Sequence, residues 1–147
     1  MRADVKAWMK APVHTLTEEA SLMDAIHLTR RHHIRHVPIV RNGATLVGIV
    51  SDRDIMKYSP SILTEKDPAQ FQRVLEQTKL ARIMTREPTT VAPTTPLREA
   101  VEIFCLKKIG ALPVIAGGKL VGIVTDTDML RAFLEGLVRA EKKRQGS

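Results

Sequence analysis

The sequence predicts an α+β protein, with α/β-like character, in which one β-α-β-β-α unit occurs twice. Three observations support this prediction: a recurring heptapeptide, apolar spacings that recur in register, and paired apolar runs around glycine turns. GIVSDRD occupies residues 48–54, and GIVTDTD occupies residues 122–128. The offset is constant over most of the repeat, since Leu22 and Leu97 lie 75 residues apart. A fixed period of this kind is typical of a duplicated supersecondary unit.

Each copy opens with a short helical turn and a short extended segment. The apolar residues within 5–9 have i, i+3, i+4 spacing, which suits a turn that buries one side, and those within 80–84 repeat it. A proline follows each turn closely and ends it. We expect extended backbone next, around Thr15 in the first copy and Thr90 in the second.

An amphipathic helix comes next in each copy. Leu22 and Leu97 begin stripes with i, i+3, i+4, i+7 spacing. Ser21 followed by Asp24 resembles a capping box that starts the first helix. Thr95-Pro96 predicts a threonine cap for the second helix, with proline at the first helical position. Both helices should therefore begin at defined residues.

Paired short apolar runs then predict a β-hairpin in each copy, because glycine-bearing turns separate them. The runs are residues 37–40 and 46–50, then residues 112–115 and 120–124. A second helix is expected to begin near Asp52 and near Asp126. The later of these two helices has a broad apolar face.

The predicted domain boundaries follow the repeats. Residues 1–65 form the first repeat, and residues 80–139 form the second. Residues 66–79 form a connector that should be ordered, since Asp67-Pro68 predicts the start of a helix there. Residues 140–147 form a basic C-terminal tail.

Composition predicts a globular protein without a membrane span. Hydrophobic residues make up 44% and charged residues 27% of the chain. No apolar run approaches the roughly 18 residues that a membrane helix needs. The N-terminus lacks the apolar stretch of a signal peptide, and the single cysteine, Cys105, can form no intrachain disulfide. We therefore expect a cytoplasmic protein.

The net charge of +7 does not predict a nucleic-acid partner. Residues 139–147 carry four basic side chains and one acidic side chain, which accounts for +3 of it. Basic residues at a helix C-terminus are also favoured by the helix dipole. Aromatic residues make up only 3% of the chain, which leaves little to stack on bases.

The recurring heptapeptide places a hydroxyl and a carboxylate at a predicted strand-to-helix junction. Ser51 and Thr125 end the predicted strands, and Asp54 and Asp128 follow three residues later. Backbone N–H groups at a helix start favour an anion, and a carboxylate accepts hydrogen bonds from ribose hydroxyls. Alternatively, the hydroxyls only cap helices and the aspartates only favour the dipole. The residues alone leave both interpretations open.

These motifs resemble the cystathionine β-synthase (CBS) domain, present as a tandem pair. HIRHVPIV with LVGIVSDRD, and KIGALPVI with LVGIVTDTD, carry the resemblance. Together with the connector, the pattern is most similar to stand-alone acetoin-utilisation-type CBS proteins. The resemblance implies two pseudo-symmetric repeats packed as one Bateman-type module, which commonly forms a homodimer. It also implies clefts between repeats that bind adenine nucleotides.

The resemblance implies roles for the residues of the heptapeptide. Ser51 and Thr125 would contact phosphate, while Asp54 and Asp128 would hold ribose. Adenine would lie against apolar strand residues and the extended segments, a set that comprises Val37, Leu112, Thr15 and Thr90.

The two implied sites differ in charge. Arg35 and Arg53 flank the first site, and their planar guanidinium groups suit phosphate oxygens. Gly110 and Thr127 occupy the matching positions in the second. We therefore expect the Ser51/Asp54 cleft to bind nucleotide more tightly.

Rival chemistry is not supported by the sequence. The phosphate-binding, dinucleotide-binding, metalloprotease and serine-hydrolase motifs are missing. The carboxylate pairs that each heptapeptide contains lack an obvious nucleophile, so no enzyme is predicted. His27, His32, His33 and His36 are close in sequence, but the chain turns into a strand after Ile34 and no cysteine is near, so no metal site is predicted.

The sequence thus predicts a non-catalytic module that senses adenine nucleotides such as AMP, ADP or ATP, with or without Mg²⁺. It requires no cofactor, and its ligand would modulate an unknown protein partner or its own oligomer. The alternatives are a scaffold that works without ligand, or a sensor of S-adenosylmethionine or NAD.

Overall fold

The computed structural model describes residues 3–146, which divide into two compact units. We call His14–Pro88 the central unit. Residues 3–13 join residues 89–146 in a second body, which we call the discontinuous unit. Met1 and Arg2 of the predicted first repeat, and Ser147 of the predicted tail, lie outside the described residues.

The central unit contains a three-stranded antiparallel sheet in the order β1-β2-β3, together with three α-helices. Its elements are α1 (Leu22–His32), β1 (His36–Arg41), β2 (Thr45–Ser51), α2 (Asp52–Tyr58), α3 (Pro68–Gln77), a 3-10 turn (Leu80–Arg82) and β3 (Thr85–Arg86). Leu16 forms a parallel bridge to Ile39, which places the Thr15 segment beside β1. The helix predicted from Asp67-Pro68 is α3, and the Asp67 carboxylate accepts a hydrogen bond from its first turn.

The discontinuous unit repeats this plan around a two-stranded hairpin. Its elements are a 3-10 turn (Val5–Ala7), α4 (Leu97–Lys107), β4 (Ala111–Ala116), β5 (Lys119–Thr125) and α5 (Asp126–Gln145). Val91 bridges Val114 in parallel, and Lys10 bridges Ile123 in antiparallel orientation. The predicted α+β class and its two pseudo-symmetric repeats are confirmed.

Both hairpins form where the paired apolar runs predict them, and both carry the same irregularity. The register shifts between Ile39 and Val40 in the first hairpin and between Val114 and Ile115 in the second. The turns differ in length, which accounts for the single residue by which the repeats are out of step. A tight turn at Gly117-Gly118 closes the second hairpin, with both glycines at positive φ.

The start of α4 differs from the prediction by one position. Pro96 occupies the cap position in an extended conformation, and the helix begins at Leu97. The Thr95 hydroxyl instead accepts a hydrogen bond from the Ala92 N–H at 2.9 Å. The predicted threonine cap is therefore wrong, because Thr95 closes the turn before the helix. The Ser21/Asp24 capping box at the start of α1 is confirmed.

The compact units do not coincide with the sequence repeats. Val5 belongs to the core of the discontinuous unit, which otherwise consists of second-repeat residues. Leu80, Ile83 and Met84 belong to the core of the central unit, which otherwise consists of residues 22–75. Each opening turn thus packs on the core of the other repeat's hairpin.

A glycine in the second strand of each hairpin, β2 or β5, permits this close packing of the opening turn. A Cβ atom on Gly48 would lie 2.6 Å from the Met84 sulfur and 2.9 Å from the Thr85 carbonyl oxygen. A Cβ atom on Gly122 would lie 2.5 Å from the Met9 sulfur and 3.2 Å from the Lys10 carbonyl oxygen. The two glycines therefore accommodate a neighbouring segment of the same unit.

Within residues 3–146, none of the helices combines the length and the hydrophobicity that a membrane crossing requires. The longest, α5, runs to Gln145 and so takes in most of the predicted basic tail. Its last turn contains Lys142, Lys143 and Arg144, where positive charge interacts favourably with the helix dipole.

Candidate functional site

Ser51 lies at the junction of β2 and α2, where it forms a reciprocal capping box with Asp54. The Ser51 backbone N–H donates to Asp54 Oδ2 at 2.8 Å, and the Asp54 N–H donates to Ser51 Oγ at 3.2 Å. The Ser51 hydroxyl also lies 3.0 Å from Asp54 Oδ2 and donates to it. Both residues are half-buried. The hydroxyl and the carboxylate are thus held together at the end of the strand.

Thr125 and Asp128 form the same arrangement between β5 and α5. The Thr125 N–H donates to Asp128 Oδ2 at 2.8 Å, and the Thr125 hydroxyl donates to the same oxygen at 3.1 Å. The Asp128 N–H lies 3.4 Å from the Thr125 hydroxyl oxygen. Unlike Asp54, Asp128 is buried, with 2% of its surface exposed.

Ser51 and Thr125 do cap the helices that follow them. α1 begins with an equivalent box, in which the Ser21 N–H donates to Asp24 Oδ2 at 2.9 Å. The box by itself therefore stabilises a helix start and does not identify a ligand site. A ligand role for Ser51 or Thr125 depends on what surrounds the junction.

Two arginines lie near the Ser51 junction, as the sequence predicts. The Arg35 carbonyl accepts a hydrogen bond from the Asp52 N–H at 2.9 Å, which places the start of β1 next to the start of α2. Arg53 is the second residue of α2, and the side chains of Arg35 and Arg53 are exposed. In the discontinuous unit the corresponding hydrogen bond runs from the Asp126 N–H to the Gly110 carbonyl at 3.2 Å.

The structure does not present the side chains of Val37 and Leu112 to a ligand. Both side chains are fully buried, Val37 in the core of the central unit and Leu112 in that of the discontinuous unit. If adenine lies against these two positions, as the resemblance implies, its contacts are with their backbone, because core packing already occupies both side chains. Thr15 is half-buried and Thr90 is exposed, and each lies beside the first strand of its own unit's hairpin.

Two basic residues near Asp128 were not found by reasoning from the sequence. Lys10 Nζ lies 3.7 Å from Asp128 Oδ1, and Arg131 Nη1 lies 3.8 Å from the same oxygen. Arg131 could have been found, since i and i+3 residues of a helix are neighbours. Lys10 could not, because nothing in the sequence pairs its segment with β5.

One of the clustered histidines, His32, stacks on His14, which lies outside that cluster in the sequence. The rings of His14 and His32 stack with centroids 3.7 Å apart. Loss of contact with water lowers the pKa of His32 from its usual 6.5, and the positive charges of His14, Arg31 and His33 lower it further. Within residues 3–146, no three His, Cys, Asp or Glu side chains are grouped so that they could hold a metal ion.

Comparison with known proteins settles the family. The family model of the CBS domain matches residues 3–61 and 80–135 of this chain. The chain belongs to the CBS domain family. The two matched segments make it a tandem CBS pair, as the repeated motifs predict.

Solved CBS proteins share the fold over most of the chain. An AcuB-type acetoin utilization protein from Vibrio cholerae is 34% identical, with a TM-score of 0.78 over 97% of this chain and 98% of its own. CBSX2, solved in complex with AMP, is 26% identical, with a TM-score of 0.76 over 91% of this chain and 98% of its own.

A third CBS structure binds related ligands. The CBS domain pair of protein MJ0100 was solved with 5′-methylthioadenosine and S-adenosyl-L-methionine. It is 28% identical, with a TM-score of 0.75 over 90% of this chain and 97% of its own. The ligands of CBSX2 and of the MJ0100 pair thus share an adenosine group.

Proposed function

We propose that this CBS pair is a non-catalytic regulatory module that binds adenine nucleotides of the AMP, ADP and ATP class. The observation that carries the proposal is the similarity over most of the chain to CBS structures solved with AMP and with adenosyl compounds. The hydroxyl and carboxylate pair at a strand-to-helix junction in both units gives the proposal its residues. In this proposal Asp54 and Asp128 accept the ribose hydroxyls, and Ser51 and Thr125 face the phosphate.

The charges around the Ser51 junction support binding of a nucleotide there. Arg35 and Arg53, whose side chains are exposed, lie in the two segments that the Asp52 to Arg35 backbone hydrogen bond joins at this junction. Guanidinium groups suit phosphate oxygens because they donate hydrogen bonds in a planar fork. We therefore propose that this site binds the nucleotide more tightly than the Thr125 site.

Regulation would follow from a difference in affinity between two states of the protein. A nucleotide shifts the population toward the state that binds it better, by no more than that difference in free energy. A protein partner that distinguishes the same states then changes its affinity by the same coupling free energy. A module of this kind would report the balance among adenine nucleotides, and so the energy state of the cell.

Calorimetric titration with AMP, ADP, ATP, S-adenosylmethionine and NAD, with and without Mg²⁺, tests the proposal. Asp54→Ala should lower AMP affinity by about ten-fold or more, since ribose loses a charged acceptor. Asp24→Ala is the matched control, because it removes a capping box of the same geometry in the same unit. Equal losses in both variants, or no binding of any compound to the unmodified chain, would refute nucleotide sensing. Phosphate release from ATP would refute the non-catalytic part.

A ligand-independent interaction module is the second candidate, and the surface of α5 favours it. Leu130, Phe133 and Leu134 are each more than half exposed, and Leu137 and Val138 continue the same face. Exposed apolar surface of this kind marks protein interaction sites. The partner we propose for it is a second copy of this chain, in keeping with the homodimer that the family resemblance implies.

The mass of the particle in solution tests the homodimer. Phe133→Glu should convert a dimer to a monomer in sedimentation analysis, because a charge on this face cannot be buried without a partner. Leu106→Glu, on the exposed surface of α4, is the control and should leave the mass unchanged. A monomeric unmodified chain would refute the homodimer and leave the nucleotide proposal standing.

A further inference from the structure

Asp128 is held in a different electrostatic environment from Asp54, its counterpart in the first repeat. Its Oδ2 atom accepts the two hydrogen bonds from Thr125. Its Oδ1 atom faces two cations, Lys10 Nζ at 3.7 Å and Arg131 Nη1 at 3.8 Å. A buried carboxylate is stable only when it is paired or hydrogen-bonded, and Asp128 is both.

Backbone structure holds Lys10 and Arg131 close to Asp128. The Lys10 N–H donates to the Ile123 carbonyl at 2.8 Å, and the Ile123 N–H donates back to the Lys10 carbonyl at 3.0 Å. Arg131 lies one turn after Asp128 in α5. The side chains are nevertheless 55% and 61% exposed, so their charged groups remain accessible to a ligand that reaches Asp128.

The central unit lacks this pair of cations at the equivalent positions. Thr85 pairs with Ile49 as Lys10 pairs with Ile123, so a neutral side chain replaces the lysine. Lys57 stands at the position of Arg131, but its ammonium group lies over the Tyr58 ring, 5.3 Å from the centroid. The two junctions thus have the same capping geometry but different cations.

We propose that Lys10 and Arg131 make the Thr125 site selective for phosphorylated adenosine compounds over uncharged or cationic ones. This inference rests on the nucleotide binding proposed above. A ribose that donates to Asp128 brings the attached phosphate within reach of Lys10 and Arg131, which then pair with phosphate and carboxylate together. Adenosine gains nothing from these cations, and the sulfonium of S-adenosylmethionine is repelled by them.

Lys10 and Arg131 also supply positive charge that the sequence motif of the Thr125 site lacks. Gly110 and Thr127 replace the two arginines of the first copy, which suggests a site poor in positive charge. Lys10, from the opening segment of the first repeat, and Arg131, from the next turn of α5, supply that charge instead. Both are engaged with Asp128 in the structure, so phosphate must draw them partly away. We therefore expect weaker binding here than at the Ser51 site.

The test is calorimetric titration with AMP, adenosine and S-adenosylmethionine in an Asp54→Ala background, which leaves the Thr125 site to be measured. Lys10→Ala or Arg131→Ala should each lower AMP affinity about ten-fold, as expected for loss of one exposed charge-assisted hydrogen bond. Adenosine affinity should stay within about two-fold, and S-adenosylmethionine affinity should rise. Lys6→Ala, which changes an exposed lysine of the same N-terminal segment, and Lys57→Ala are the controls.

Lys10→Arg should restore AMP affinity, which separates loss of charge from loss of fold in the alanine variant. The inference is overturned if AMP and adenosine affinities fall together, or if the background variant binds no AMP while the unmodified chain does. In both cases nucleotide binding by the protein would still stand. If the unmodified chain binds none of the three compounds, the proposed function fails together with the inference.

Discussion

Replacing Gly48 by alanine tests whether the close approach of Met84 and Thr85 to β2 is as tight as the structure shows. The added methyl group would lie 2.6 Å from the Met84 sulfur and 2.9 Å from its Cγ atom. It would also lie 2.9 Å from the Thr85 carbonyl oxygen. Methionine can change rotamer, but the carbonyl belongs to β3 and can move only with its strand.

The expected cost follows from two opposing effects. Inserting a methyl group into a well-packed site costs about 1–3 kcal/mol. Alanine also restricts the unfolded chain, which returns about 0.4–1 kcal/mol. Because the contact with a backbone atom cannot relax through a side-chain rotation, we expect a net loss of about 1–2 kcal/mol, or about 3–6 °C in melting temperature.

Urea denaturation followed by circular dichroism measures this loss, and Gly122→Ala is the matched comparison. At Gly122 the nearest backbone atom would be 3.2 Å away, so displacement of the flexible Met9 side chain relieves most of the overlap. The Gly48 variant should therefore lose more stability than the Gly122 variant. A Gly48 variant as stable as the unmodified chain, or a reversed order of the two, would refute the packing argument.

Three further outcomes follow from the same contacts. Asp128→Asn should destabilise the fold by about 1–2 kcal/mol more than Asp54→Asn in urea denaturation, since only Asp128 is paired with Lys10 and Arg131; equal losses would contradict this. Ser21→Ala should cost about 1 kcal/mol through loss of the cap, and an unchanged melting temperature would show that α1 does not depend on it. Stability should decline as the pH falls below 6.5, because the lowered pKa of His32 means that the unfolded chain takes up this proton more readily; a His32→Gln variant with the same slope would assign the effect to other groups.

The sequence predicts the secondary structure well where the spacing of apolar residues and the positions of turn or capping residues indicate the same element. The hairpins, the start of α2 after Ser51 and the start of α3 after Asp67 all lie where local patterns place them. Each of these features depends on residues within about four positions of one another, which is the range over which capping and periodicity act. Local agreement of this kind is enough to identify the repeat and its junctions.

Reasoning from the sequence was less successful where the outcome depends on tertiary packing. A run of four consecutive apolar residues does not show which of its side chains enter the core, and so the full burial of the Val37 and Leu112 side chains was not predicted. The pairing of Lys10 with Ile123 joins segments more than a hundred residues apart, and no local pattern encodes it. The surroundings of the Thr125 site therefore became visible only in the folded chain.

The exchange of opening turns between the repeats has a consequence for how the chain is made. The central unit, His14–Pro88, is continuous and has all its residues once synthesis passes residue 88. Residues 3–13 are translated before the central unit, yet the hairpin on which Val5 packs is translated only after it. A circular permutant that begins at residue 14, with a flexible linker from residue 146 to residue 3, would make both units contiguous along the polypeptide. Residues 3–13 would then be synthesised after the hairpin on which Val5 packs.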